Sequence, residues 1–133
     1  MTIQAQIPST DELHAPVGQY SHALIAPVGS DLLFISGQVG IAPDGTTAAG
    51  LAAQTAQIFR NLEAILRANG LSLESLIKLN TYIVAGQSLA EARAARAQAM
   101  GALKPCSTLV FVSALAMPEL LIEIEAIAVK PPA

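Results

Sequence analysis

The sequence predicts one α/β (α+β) domain in which two helices pack against a mixed sheet. Three observations carry that prediction. The chain has 133 residues, enough for one core that buries about two-thirds of the surface an unfolded chain exposes. Short β-forming runs alternate with two segments of helical period in the order ββ(β)αβαββ. Hydrophobic residues make up 53% of the chain and charged residues 13%, and the strands are apolar on both faces. Two helices cover one face of such a sheet, so the other face needs its own cover. Copies of the same chain are the economical one, which predicts a homo-oligomer.

The elements follow in order. Residues 1–11 read as a loose end. Gln19 to Val28, with Tyr20, Ala23, Leu24 and Ile25, is the first expected strand. Asp31 to Ser36 is the second, closed by Gly37, and the short Val28-Gly29-Ser30-Asp31 link predicts a hairpin between them. Pro43-Asp44-Gly45 is a turn, because proline presets one torsion and glycine takes the positive one. From Gly50 to Asn69 the period changes: Leu51, Thr55, Ile58, Phe59, Leu62, Ile65 and Leu66 share a helical stripe, and Asn69-Gly70 stops it. Leu76 to Val84 is a long strand rich in β-formers. Ser88, with Glu91 three residues on, opens an alanine-rich helix that ends near Gly101. Two closing strands are expected over Ser107 to Leu115 and Leu120 to Val129, and residues 130–133 are loose again. The whole of 1–133 is thus one domain.

Composition excludes several functions. The net charge is −3, and seven Lys and Arg are scattered without a basic run, so nucleic acid is not the expected partner. No apolar stretch is long enough for a membrane span, and the opening residues lack the apolar core of a secretory signal. A single cysteine, Cys106, fits a reducing cytoplasm. His14, His22 and Cys106 give no metal-ligand spacing. Mean hydropathy is +0.52, yet Glu123 and Glu125 sit inside the last strand, where an unpaired buried charge would cost several kcal/mol or more. Either they face a solvated surface or one of them does chemistry.

Three motifs in register resemble the Rid family (reactive intermediate deaminase, YjgF-type) over about residues 13–129. They are Ala15-Pro16-Val17-Gly18-Gln19-Tyr20-Ser21-His22-Ala23, Phe34-Ile35-Ser36-Gly37-Gln38-Val39, and Ile122-Glu123-Ile124-Glu125-Ala126-Ile127-Ala128-Val129. The resemblance implies a chorismate-mutase-like fold: a six-stranded mixed sheet with two helices on one face. Three such sheets would close into a trimeric barrel with a small-molecule cleft at each subunit interface. It implies hydrolysis of 2-imino or 2-enamino acids to 2-keto acids and ammonia, without a cofactor or metal. By the same resemblance Glu123 holds and activates the attacking water, Tyr20 lines the cleft, and the Ser36-Gly37 turn approaches the ligand. Glu125 matches no functional role and reads as structural. Older naming of this family includes a nuclease, against which the acidic balance and the lack of basic or metal-binding groups both argue.

One residue departs from the pattern. Deaminating members carry Pro-x-Arg-Ser or Pro-x-Arg-Thr after the second helix, with the arginine clamping the substrate carboxylate. This chain has Pro105-Cys106-Ser107-Thr108. A serine offers one donor and no charge, and losing a charge-assisted bidentate pair forfeits about 2–5 kcal/mol of binding. Arg93, with Arg96 nearby, can bring a cation from helix positions bordering the cleft. Otherwise Ser107 and Leu109 line a more apolar pocket for a ligand without a carboxylate. Cys106 falls on the opposite strand face from both. Two functions follow. The first is an imine or enamine hydrolase with a non-standard substrate, using Glu123 and Tyr20. The second is a non-catalytic trimer that binds a small metabolite or regulates a partner.

Overall fold

The structure, a computed structural model, describes residues 2–133. It contains β1 (Ile3–Gln4), β2 (Leu24–Ile25), β3 (Asp31–Val39), α1 (Leu51–Ala68), β4 (Leu76–Val84), α2 (Leu89–Met100), β5 (Cys106–Val112) and β6 (Ile122–Lys130). The main sheet has the order β3-β6-β4-β5, with β4 and β5 parallel and the other neighbours antiparallel. Both helices lie on one face.

Helix α1 forms where the apolar stripe predicts it. Its buried residues include Leu51, Ile58, Phe59, Leu62 and Leu66, which meet Ile35, Leu79, Ile83, Ile122, Ile124, Ala126 and Ala128 in one core. Each large side chain buried there contributes about 1.5–3 kcal/mol. The helix stops at Asn69-Gly70, where Gly70 has φ 72 and Leu71 N–H donates back to Leu66 O at 2.9 Å. Helix α2 starts where Ser88 Oγ accepts from Glu91 N at 3.1 Å. Only Ala92 and Met100 are buried on it. Alanine methyls are too short to fill the space beside the sheet, and a cavity remains there.

Six strands form, but they make a four-stranded sheet and a separate β1–β2 pair rather than one six-stranded sheet, and the bracketed strand expected before α1 is reduced to a single Ile41–Thr47 bridge. Two sequence expectations change accordingly. The strand expected over Gln19 to Val28 shrinks to Leu24–Ile25, and it pairs with Ile3–Gln4 rather than forming a hairpin with β3. The reason lies in the polar partners of residues 19–21. The Gln19 side-chain amide donates to Gly101 O and Leu103 O, and Ser21 N donates to Pro105 O at 3.2 Å. Pro105 thus takes the Ser21 N–H, and Arg96 the Gln19 carbonyl, that a neighbouring strand would have used. The N-terminal segment also departs from expectation, since part of it is tied down as β1. The Pro43-Asp44-Gly45 turn forms, with Gly45 at φ 88 and its N–H on Ala42 O at 2.8 Å.

Candidate functional site: a cavity and a carboxylate on opposite faces of one sheet

A cavity of about 530 Å³ lies between α2, the sheet and the segment around Tyr20. Val17, Gly18, Gln19 and Tyr20 form one wall, Arg93 and Arg96 of α2 another, and Thr81, Ser107, Leu109, Ile122 and Ile124 the sheet floor. Four residues expected at a site therefore gather here: Tyr20, Arg93, Ser107 and Leu109. The Tyr20 wall is positioned by the bonds that dock residues 19–21 on the α2–β5 connection. Tyr20 Oη accepts from Val17 N at 3.2 Å. Its ring meets His22 edge-on at 5.6 Å, and His22 meets His14 at 5.1 Å. His22 Nε2 donates to His14 O at 2.7 Å, so this histidine holds the wall in shape.

Arg96 is the residue that sequence reasoning passed over in favour of Arg93. Its Nη1 donates to Ser107 Oγ at 2.9 Å and its Nη2 to Gln19 O at 3.2 Å. A guanidinium thus stands beside Ser107, delivered from the helix instead of the strand. Burial disfavours its charged form, and the neighbouring Arg93 cation adds to that, so its pKa is pushed down. No Asp or Glu is among the residues lining the cavity. Thr81, 3% exposed, also lines it, and the Thr81 hydroxyl has no hydrogen-bond partner. The i, i+3 spacing of the two arginines was the available sequence signal for Arg96, because such residues share a helix face. Nothing in the sequence marked Thr81.

The remaining expected residues, Ser36, Gly37 and Glu123, lie elsewhere. Strand β6 alternates, with Ile122 and Ile124 buried toward the helices and Glu123 and Glu125 half-buried on the reverse face. Within one protomer the sheet itself separates Glu123 from Tyr20. On that reverse face β3 carries a bulge between Ile35 and Gln38, which places Ser36 and Gly37 against β6. A Cβ on Gly37 would lie 1.9 Å from Glu123 Oε2, so the glycine makes the space that the carboxylate occupies. Glu125 accepts a hydrogen bond from Tyr82 Oη. That bond holds the Tyr82 pKa above its ordinary value, with desolvation and the charges of Glu125 and Glu123 adding to it. The surrounding surface exposes Leu32, Val110 and above all Phe34, at 70%. Cys106 is half-buried and pairs with Lys78 in register, one position off the cavity-facing Ser107.

Among the described residues no helix is long and apolar enough to cross a membrane. The family model described as Endoribonuclease L-PSP matches residues 10–130. The RutC family protein PH0854 of Pyrococcus horikoshii is 39% identical over 123 residues, covering 91% of this chain and 94% of that protein. Reactive Intermediate Deaminase A, chloroplastic, of Arabidopsis thaliana is 30% identical over 79 residues, covering 58% of this chain and 41% of that protein. A crystal structure from Yersinia pestis, described as a protein of unknown function of the conserved Rid protein family, YyfB, superimposes with a TM-score of 0.73. It is 38% identical, covering 83% of this chain and 86% of that one. With its fold, its three motifs and these relatives in agreement, the chain belongs to the Rid (YjgF-type) family.

Proposed function

We propose that the protein hydrolyses a reactive imine or enamine bearing a carboxylate, at a site completed between two copies of the chain. The observation that carries this reading is the Arg96–Ser107 hydrogen bond of 2.9 Å, which brings a guanidinium to the place where Ser107 provides no charge. The ligand carboxylate would take the Arg96 donors, as charge-assisted bonds outcompete neutral ones. Tyr20 would orient the ligand from the opposite wall. The water-activating carboxylate then has to come from a second protomer, because Glu123 lies across the sheet from its own cavity. The exposed Leu32, Phe34 and Val110 support burial of that reverse face against further copies. A barrel of three such sheets is the assembly we favour.

The chemistry asks little of the protein. Glu123 accepts one proton from water as the water oxygen bonds to the imine carbon and passes it to nitrogen, giving a carbinolamine. The remaining hydroxyl proton then moves to nitrogen by the same carboxylate as the C–N bond breaks and the C=O bond forms. The products are a ketone oxygen in place of nitrogen, and ammonia. Placement and a carboxylate that shuttles the two protons in turn suffice, with no redox step.

The test is hydrolysis of 2-iminopropanoate and 2-iminobutanoate, generated in situ by an amino-acid oxidase. Wild type should be active. Glu123→Ala should lose about 10²–10⁴-fold in kcat, and Arg96→Met should lose about 30-fold or more in kcat/KM, chiefly through KM. An inactive wild type would overturn the reading and favour a binding protein. An Arg96→Met protein with unchanged KM would remove Arg96 from it.

A further inference from the structure

We infer that the site selects a doubly negative substrate, the imine or enamine of an amino dicarboxylate, with Arg96 holding one carboxylate and Arg93 the other. The inference rests on the hydrolase reading for its reaction and for the neighbouring protomer's carboxylate, and on the two cavity arginines for its cationic charge. Arg93 and Arg96 both line the cavity, and no Asp or Glu is among the lining residues. They are spaced i, i+3, which puts two like charges side by side on one helix face. Glu91 is the only acid on α2; it stands two positions from Arg93, where helical side chains do not face each other. Arg96 is half-buried and Arg93 exposed, and two like charges side by side with no carboxylate of the same protomer lining the cavity are unfavourable. A bound anion of matching charge removes that cost.

The charge count favours two carboxylates over one. Two arginines and one ionised Glu123 from a neighbouring protomer leave the assembled site at +1. A 2-imino monocarboxylate that reacts as its iminium is neutral and leaves that +1 uncompensated. The iminium of a dicarboxylate carries −1 and brings the site to zero. The cavity has the room, since about 530 Å³ falls within the ~300–1,000 Å³ range of small-molecule sites. The Thr81 hydroxyl is buried and lacks a partner at the cavity floor, and it supplies a further donor for a carboxylate oxygen. A polar group left unpaired at that depth is one that a ligand can satisfy.

The experiment is isothermal titration of the assembled Glu123→Gln protein, whose +2 site offers a neutral keto group the same charge that the native site offers an iminium, with 2-oxoglutarate as the dianion and 2-oxobutanoate as the monoanion. 2-Oxoglutarate should bind about tenfold more tightly or better. Arg93→Gln should bring the two ligands near parity by weakening 2-oxoglutarate alone, and Arg96→Gln should weaken both. Equal affinities in Glu123→Gln, binding of neither probe, or an unchanged ratio when Arg93→Gln is added to it would each overturn the inference. Hydrolysis of the imino acids derived from glutamate and alanine separates it from the broader reading. A protein that hydrolyses both at equal kcat/KM and shows no binding preference keeps the hydrolase reading and loses this one. One that prefers the dianion in binding yet hydrolyses neither keeps the dianion site and loses the hydrolase.

Discussion

Gly37→Ala isolates the position of the Glu123 carboxylate from the stability of the fold. The new methyl would lie 1.9 Å from Glu123 Oε2, 2.7 Å from Cδ and 3.0 Å from Cγ. Ordinary contact begins at 3.4 Å, so the carboxylate has to move by about 1.5 Å. What is displaced is the end of a flexible, half-buried side chain, and an altered rotamer costs about 0.5–1.5 kcal/mol. A misplacement of about 1 Å at a reacting group costs about 10²-fold in rate, or ~2.7 kcal/mol of transition-state stabilisation. The expected result is therefore a kcat/KM for 2-iminobutanoate lowered about 100-fold in a protein that melts within a few degrees of wild type. Gly40→Ala is the contrast. There the methyl meets Gln54 Cα at 2.7 Å, which is backbone, so stability should fall by about 1–3 kcal/mol or more. Activity within threefold of wild type in Gly37→Ala would refute the reasoning, because the glycine would then not be what sets the carboxylate's place. A melting temperature lowered as far as in Gly40→Ala would refute it equally.

Two further predictions concern the fold around the site. The folded state holds the Tyr82 proton above the ordinary value of 10.0, first because Glu125 accepts it and then through burial and the nearby carboxylate charges. That stabilisation is fully present below about pH 10 and is lost as pH rises through the folded-state pKa. Thermal melts of wild type and Tyr82→Phe should thus differ by a constant amount up to about pH 10 and converge above it; a difference that widens above pH 10 would reverse the assignment. Gln54, 1% exposed, donates to Ala48 O at 3.1 Å and Glu119 O at 2.9 Å and accepts from Leu121 N at 2.8 Å. Gln54→Ala should lower stability by about 3 kcal/mol, or roughly 10 °C in Tm. A urea titration giving less than about 1 kcal/mol would show that water replaces the amide.

The elements whose signal is local were legible in the sequence. The α1 stripe, the β4 run and the Ser88 cap all stand within a residue of where periodicity and capping chemistry put them. The strand expected from Gln19 failed because its backbone partners lie some eighty positions away, on the connection after α2, and nothing in the local sequence records them. The alternation of β6 places Glu123 and Glu125 on one face, and that of β5 places Cys106 off the face of Ser107 and Leu109. It also implies the division of the site, since Ile122 and Ile124 must then face the helices. The choice between Arg93 and Arg96 depended on how α2 rotates over the sheet. Its alanines provide little periodicity to fix that rotation, so the sequence pointed to a cation from this helix without settling which arginine meets Ser107.

The most direct test of a site shared between protomers is subunit complementation. Arg96→Ala and Glu123→Ala proteins, each reduced to a few per cent of wild type or less when assayed at substrate well below KM (~30-fold or more), would be unfolded together in equal amounts and refolded, with mixed oligomers verified by native mass spectrometry. The account predicts recovery of roughly a quarter of wild-type imine hydrolysis, because in any closed ring one interface in four then joins an intact cavity to an intact Glu123. No recovery, with mixed oligomers demonstrably present, would mean that cavity and carboxylate do not meet across an interface.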